Sequence, residues 1–137
     1  MDTFQVHILA PDRSFYEGPC VSLVVPTSDG ERGILAHHDS MIAAIQPGTL
    51  RWQPPGQEVQ FAAVSPGMVK VEFDDVLVLV DSAERPEEID EARARREADQ
   101  AQEAMLQKKS RQEHQLAQAT LARALNRLRV KSKGTYE

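Results

Sequence analysis

Arg123 and Arg127 stand four residues apart in a stretch free of glycine and proline. That spacing puts both guanidinium groups on one face of a helix. Arginine offers paired, coplanar N–H donors that match phosphate oxygens, so the pair is chemically fit to receive an anionic group. Residues 111–133 around it hold six bases against one acid, Glu113, and the natural partner of such a stretch is acidic. Upstream, Asp90 and Arg93 form a second charged pair at helical spacing. The same residues also read as a solvated helix surface with local ion pairs, each worth about 0.3–0.5 kcal/mol. No Gly-x-x-x-x-Gly-Lys-Ser/Thr phosphate loop occurs, and no nucleophile–base arrangement is readable, so the chain is not expected to be an enzyme. Cys20, beside Pro19, reads as a small apolar residue. His37 and His38 are neighbours, and neighbours on an extended strand point to opposite faces, so no metal site is expected from them.

The elements that must position these residues fall into two stretches. The 137 residues suffice for one modest domain plus an appendage. A composition of 41% hydrophobic and 27% charged residues argues against wholesale disorder, and 5% aromatics against a large aromatic-lined pocket. One cysteine permits neither an intrachain disulfide nor a cysteine-based zinc site, which points to a reducing compartment. Met1-Asp2-Thr3-Phe4 lacks a basic segment ahead of an apolar run and is not read as a secretory signal. No run approaches the ~18 apolar residues of a membrane span, so membrane association is expected only through a partner. The net charge of −5 is uneven: residues 1–85 hold 12 acids and 5 bases (−7), residues 86–137 hold 9 acids and 11 bases (+2).

Residues 1–85 read as strands. Phe4, Val6 and Ile8 alternate with Gln5 and His7, and Val21, Leu23 and Val25 with Ser22 and Val24. Short runs follow at 33–35, 41–45, 49–52, 59–64, 68–73 and 76–80. Turn signals separate them: Ala10-Pro11-Asp12, Glu17-Gly18-Pro19, Ser28-Asp29-Gly30, Gln46-Pro47-Gly48, Pro54-Pro55-Gly56 and Ser65-Pro66-Gly67. Asp74-Asp75 reads as a two-residue hairpin loop. The pattern predicts an antiparallel β-sandwich or flattened barrel, the first half of an α+β chain.

Residues 86–137 read as a two-helix antiparallel hairpin with a short tail. Pro86 suits a first helical turn, with Glu87 and Glu88 at the positive end of the dipole. Ala94, Ala98, Ala101 and Met105 make one apolar stripe; Ala117, Leu121, Ala124 and Leu128 make another. Between them Ser110-Arg111-Gln112-Glu113 has the spacing of a capping box, and Lys108-Lys109 suits the end of the preceding helix. Alanine stripes bury little area, and no glycine or proline forbids a helix through Ser110. One rod of roughly 65–70 Å is the alternative to the hairpin. A marginal hairpin suits a conformational switch; a permanently folded pair fits the same residues.

Read in order, these segments resemble a family. Phe15-Tyr16-Glu17-Gly18, then the run from Pro26-Thr27-Ser28-Asp29-Gly30-Glu31-Arg32-Gly33 through Ile34-Leu35-Ala36-His37-His38, then Pro47-Gly48-Thr49-Leu50, Val76-Leu77-Val78-Leu79-Val80 and Ala83-Glu84, are similar to the epsilon subunits of F-type ATP synthases, called delta in mitochondria. The chain departs from that pattern at Asp39-Ser40-Met41 and at Ser65-Pro66-Gly67.

The resemblance implies a non-catalytic part of a rotor driven by protons or sodium ions, peripheral to the cytoplasmic face of a bacterial cell membrane. Its implied partners are the gamma stalk subunit, the membrane rotor ring and, when the helices extend, the catalytic alpha and beta subunits. Gly30, Glu31, Arg32, Gly33 and His38 are the implied contacts to ring and stalk, although the glycines also read simply as turn formers. Ile89-Asp90-Glu91-Ala92-Arg93-Ala94 resembles the motif of members that bind ATP as a regulatory ligand, no cofactor being required. It implies Ile89 and Asp90 against the adenine, Arg93 fixing the site, Glu84 reading the base, and Arg123 and Arg127 on the phosphates. Gln100 stands where those members often have another arginine. The alternative is a stand-alone ATP-binding sensor outside any rotor. A nucleic-acid role is not expected, because the chain is acidic overall and lacks a basic face interleaved with aromatics.

Overall fold

Alternating burial along the first strand sets the pattern for the strand-rich half: Phe4, Val6 and Ile8 are buried while Gln5 between them is exposed. The computed structural model describes residues 2–107 and 110–136, the last three by backbone alone. The chain divides into two compact units, Met1–Glu84 and Arg85–Glu137. The first contains β1 (Phe4–Ala10), β2 (Arg13–Cys20), β3 (Ser22–Thr27), β4 (Gly30–Ile34), β5 (Met41–Ile45), β6 (Gly48–Gln53), β7 (Gln60–Val64), β8 (Gly67–Glu72), β9 (Asp75–Val80) and β10 (Ala83–Glu84).

These strands join in the order β10-β7-β6-β3-β5-β8-β9-β1-β2, with β4 beside β3. Every pairing is antiparallel except one: β1 runs parallel to β9, Val6 opposite Val76 and Ile8 opposite Val78. The sheet folds over a core of Phe15, Leu23, Val25, Ile34, Leu50, Trp52, Val69 and Val78, making a nearly closed sandwich. Each such side chain contributes roughly 1.5–3 kcal/mol when fully buried. Phe15 meets Trp52 edge-on, ring centroids 5.7 Å apart. The terminal strands of the order are joined by a side chain: Arg13, opening β2, donates from Nη2 to the Ala83 carbonyl of β10 at 2.7 Å. A guanidinium there takes the place of a backbone ladder.

Three local expectations shift. Glu17-Gly18-Pro19 is not a turn but part of β2, which pairs only with β1. An edge strand tolerates proline because one side of its backbone has no ladder to supply. The β8–β9 loop is Phe73-Asp74 rather than Asp74-Asp75, since Glu72 pairs with Asp75. That register places Phe73 in the left-handed region, φ 58°, and leaves its ring exposed. The third shift concerns Pro86, which opens a separate 3₁₀ turn, Pro86–Glu88, and not the first helix.

The second unit then continues as α1 (Glu91–Leu106) and α2 (Arg111–Tyr136). The break before α1 has a local cause. Asp90 is extended, φ −84° and ψ 103°, and its carboxylate accepts the Arg93 amide at 3.0 Å, capping the helix. Ser110 does the same for α2, its hydroxyl accepting the Glu113 amide at 3.2 Å. Lys108-Lys109, expected to end the first helix, lie outside the described residues. The helices pair antiparallel along Ala94, Ala98 and Ala101 on α1 and Ala117, Ala124 and Val130 on α2, all buried. Leu121 and Leu128 of the expected stripe are only half-buried, and Asn126 is buried at 5% exposure.

Among the glycines of the first unit the closest backbone approach is at Gly67, where an added Cβ would lie 1.9 Å from the Leu79 carbonyl oxygen. Gly67→Ala should cost about 1–3 kcal/mol or more, read from urea unfolding. Gly33→Ala meets nothing within 4 Å and should stay within about 0.5 kcal/mol of the parent. Equal stabilities would contradict the packing at Gly67.

Candidate functional site

Of the residues singled out on the helices, Arg93 and Arg127 are brought together, and the group that joins them is a carboxylate. Glu97 accepts from Arg93 Nε at 3.1 Å through Oε1 and from Arg127 Nη1 at 3.2 Å through Oε2. Arg93 and Glu97 are one turn apart on α1, whereas Arg127 reaches across from α2. Both oxygens of one anion are therefore held by guanidinium groups from two helices, the geometry a phosphate would demand. Lys131, one turn beyond Arg127, donates from Nζ to the Pro86 carbonyl at 3.0 Å and ties α2 to the 3₁₀ turn. Arg123, one turn the other way, is exposed and donates to Thr120 Oγ1 at 3.4 Å. Arg123, Arg127 and Lys131 thus form a basic edge along α2.

Ile89 and Ala94 are not presented on the surface. They are 4% and 2% exposed and occupy the positions flanking the Asp90 cap where an apolar pair fixes the chain entering a helix. Asp90 already holds the Arg93 amide. The Ile89-Asp90-x-x-Arg93-Ala94 motif is thereby a complete helix start by its own contacts. Asp90 also borders a shallow depression of about 620 Å³ with Glu91, Ala92, Arg95, Arg96 and Asp99, none of which is a candidate arginine. Glu84 lies on β10, opposite Ala63 of β7. Glu97 was not singled out by sequence reasoning; its signal was the four-residue spacing from Arg93.

In the first unit, Gly30, Glu31, Arg32 and Gly33 form the exposed part of β4, an outer strand paired with β3 alone. Thr27 pairs with Gly30 across a two-residue turn, and Gly30 takes φ +107°, a conformation suited to glycine. Glu31 accepts from Arg51 of β6. Arg32 Nη1 lies 3.5 Å from the Met41 sulfur. His38 Nδ1 is 2.7 Å from the Asp39 carbonyl. His37, expected on an extended segment, instead sits in a turn at φ 66°. Its imidazole is drawn towards Asp2 and Asp74, and the hydrogen bond to Asp2, with the charge of Asp74, holds its pKa above the ordinary histidine value of 6.5. Among the described residues no cluster of three or more His, Cys, Asp or Glu could hold a metal. No helix among them is long and apolar enough to cross a membrane.

Cys20 is fully buried, and burial raises its thiol pKa above 9.0, disfavouring the nucleophilic thiolate. Burial, with the neighbouring Cys20 thiol, also pushes Tyr16 up to about 12.

A strand sandwich and an alanine-faced helical pair define a two-unit protein. Residues 3–86 match the family model for the ATP synthase delta/epsilon chain, beta-sandwich domain, and residues 87–132 that for its long alpha-helix domain. The chain belongs to this ATP synthase delta/epsilon family. It is 44% identical over 132 residues to the ATP synthase epsilon chain of Caldanaerobacter subterraneus subsp. tengcongensis, covering 96% of this chain and 95% of that one. It is 39% identical to that of Shouchella clausii over 135 residues, 98% and 99% of the two chains. Its fold is that of a chain in the Euglena gracilis mitochondrial ATP synthase, TM-score 0.83 at 18% identity, over 98% of this chain and 82% of that one.

Two outcomes follow from these contacts. Asp90→Ala should cost about 0.5–2 kcal/mol of local stability, seen as faster amide exchange at Arg93 and Ala94 with the sandwich amides unchanged. Cys20 should resist iodoacetamide at pH 8 in the folded chain and react once urea unfolds it; rapid native labelling would contradict its burial.

Proposed function

We propose that this chain is a non-catalytic subunit of the central rotor stalk of an F-type ATP synthase, restraining ATP hydrolysis through its helical pair. The observation that carries the reading is the match of both units, in order, to the two domains of one family. The sandwich then couples the gamma stalk subunit to the membrane ring of a proton- or sodium-driven machine at the cytoplasmic face of a bacterial cell membrane. Glu31, Arg32 and His38, with Gly30 and Gly33, supply its contacts.

The helical pair is the regulatory part. Folded, it leaves rotation free; extended, it presents Arg123, Arg127, Arg129, Lys131 and Lys133 to acidic segments of the alpha and beta subunits. ATP favours the folded pair as a signal and not as a substrate. Arg93 and Arg127 already converge on one carboxylate, so phosphate oxygens would find donors from both helices by displacing Glu97. Arg123 extends that edge, while Asp90 addresses the base. Ile89 and Ala94, being buried, serve the site by anchoring the start of α1. A ligand that binds only the folded form at 100 times its dissociation constant adds about 2.7 kcal/mol, enough to shift a nearly balanced pair.

Removing residues 86–137 should raise ATP hydrolysis of the assembled synthase while the sandwich still co-purifies with the stalk. Unchanged hydrolysis would remove the inhibitory role. In calorimetry of the full chain with ATP, Arg93→Ala and Arg127→Ala should each weaken binding at least tenfold. Equal heats from parent and variants would exclude this ATP site.

A further inference from the structure

The turn at Ala36-His37-His38 is held by contacts that depend on the charge of one ring. His37 donates its backbone N–H to Asp74 Oδ1 at 2.7 Å. Its ring Nε2 lies 3.0 Å from Asp2 Oδ2, and its Nδ1 lies 3.4 Å from Asp74 Oδ2. Three chain segments meet there: the residues ahead of β1, the loop after β4, and the β8–β9 turn. A neutral imidazole carries one N–H and cannot donate to carboxylates at both nitrogens; the imidazolium can. Asp75, next to Asp74, is turned to another ring, His7, at 3.0 Å, and Glu17 of β2 faces the other nitrogen of His7 at 3.6 Å. On its own loop His37 has His38, whose ring turns to the Asp39 carbonyl. The carboxylates facing His37 from other elements are therefore Asp2 and Asp74.

We propose that His37 is a pH-operated clamp: protonated, it ties the loop after β4 to both the N-terminal segment and the β8–β9 turn, and deprotonation releases one of the two ring ties. The inference stands on the loop's own geometry and is independent of the rotor reading. Because the loop also carries His38, whatever partner meets that residue meets a surface ordered by acid and loosened by base. The folded-state pKa of His37 lies above 6.5, with the bond to Asp2 the largest cause and the charge of Asp74 next. The clamp is therefore favoured at pH 6.5 and somewhat below, where the ring is mostly protonated and the carboxylates ionised, and is lost as pH rises through the folded value. The left-handed backbone at His37 is held in addition by the Asp74 bond to its amide, which does not titrate with the ring. Release therefore loosens the turn without unfolding it.

The test is an NMR titration of the full chain from pH 5 to 9 at constant salt. The His37 ring protons should titrate with a midpoint above 6.5, and the amide shifts of His37, His38 and Asp74 should follow the same midpoint. Asp2→Asn and Asp74→Asn should each lower that midpoint; Asn at 74 still accepts the backbone N–H, so the turn is kept. In His37→Asn, a residue that tolerates the left-handed region, the His38 and Asp74 amides should lose this titration. A midpoint at or below 6.5, a midpoint indifferent to both Asp→Asn changes, or unchanged amide titration in His37→Asn would each overturn the clamp.

Discussion

The helical unit depends on how little two helices need bury in order to stay side by side. Along α1 the seam is Ala94, Ala98 and Ala101, and along α2 it is Ala117 and Ala124, with Val130 near the far end. A buried methyl is worth about 0.8 kcal/mol, well short of the contribution of a buried leucine. Small side chains let the helices approach closely, so groups of longer reach can bridge them, and Arg127 spans to Glu97. That ion pair is about a third exposed at both ends, which keeps its worth to at most about 1 kcal/mol. The seam is thin in hydrophobic area and is bridged by the Arg127–Glu97 pair.

The sandwich solves a different problem. Its ladder begins at β10 and ends at β2, and strands at the ends of a sheet expose unpaired backbone groups. Arg13 answers part of this by reaching the Ala83 carbonyl, with its guanidinium 4.9 Å from the centre of the Phe15 ring. The parallel β1–β9 pair brings the first strand beside the ninth and sets the N-terminal segment next to the β8–β9 turn. This topology is what places Asp2 and Asp74 on either side of His37.

Local patterns were legible where one physical rule governed. Alternation gave β1 and β3, glycine-containing turn signals gave the β3–β4 hairpin, and alanine spacing gave both helices and the alanines of their buried faces, though not the half-buried Leu121 and Leu128. Where two rules competed, position in the sheet decided. Gly18-Pro19 carries a turn signature, yet β2 lies at an edge where proline is tolerated. Phe73 is a poor residue for φ 58°, yet the register of β8 against β9 puts it in the loop. Pro86 opens a 3₁₀ turn because Asp90, four residues on, caps the helix itself.

By itself the sequence determined a strand half and a helix half, an acidic body with a basic end, and the lack of a phosphate loop, because these follow from residue types and short spacings. Its spacings paired Arg93 with Asp90 and Arg127 with Arg123, and only the family resemblance put all four in one candidate site. Only the tertiary structure decided that Arg93 and Arg127 share the two oxygens of Glu97, that Arg13 joins the terminal strands, and that His37 stands between two carboxylates. Contacts between residues thirty to seventy positions apart are set by how strands register and helices pair. No local spacing encodes that geometry.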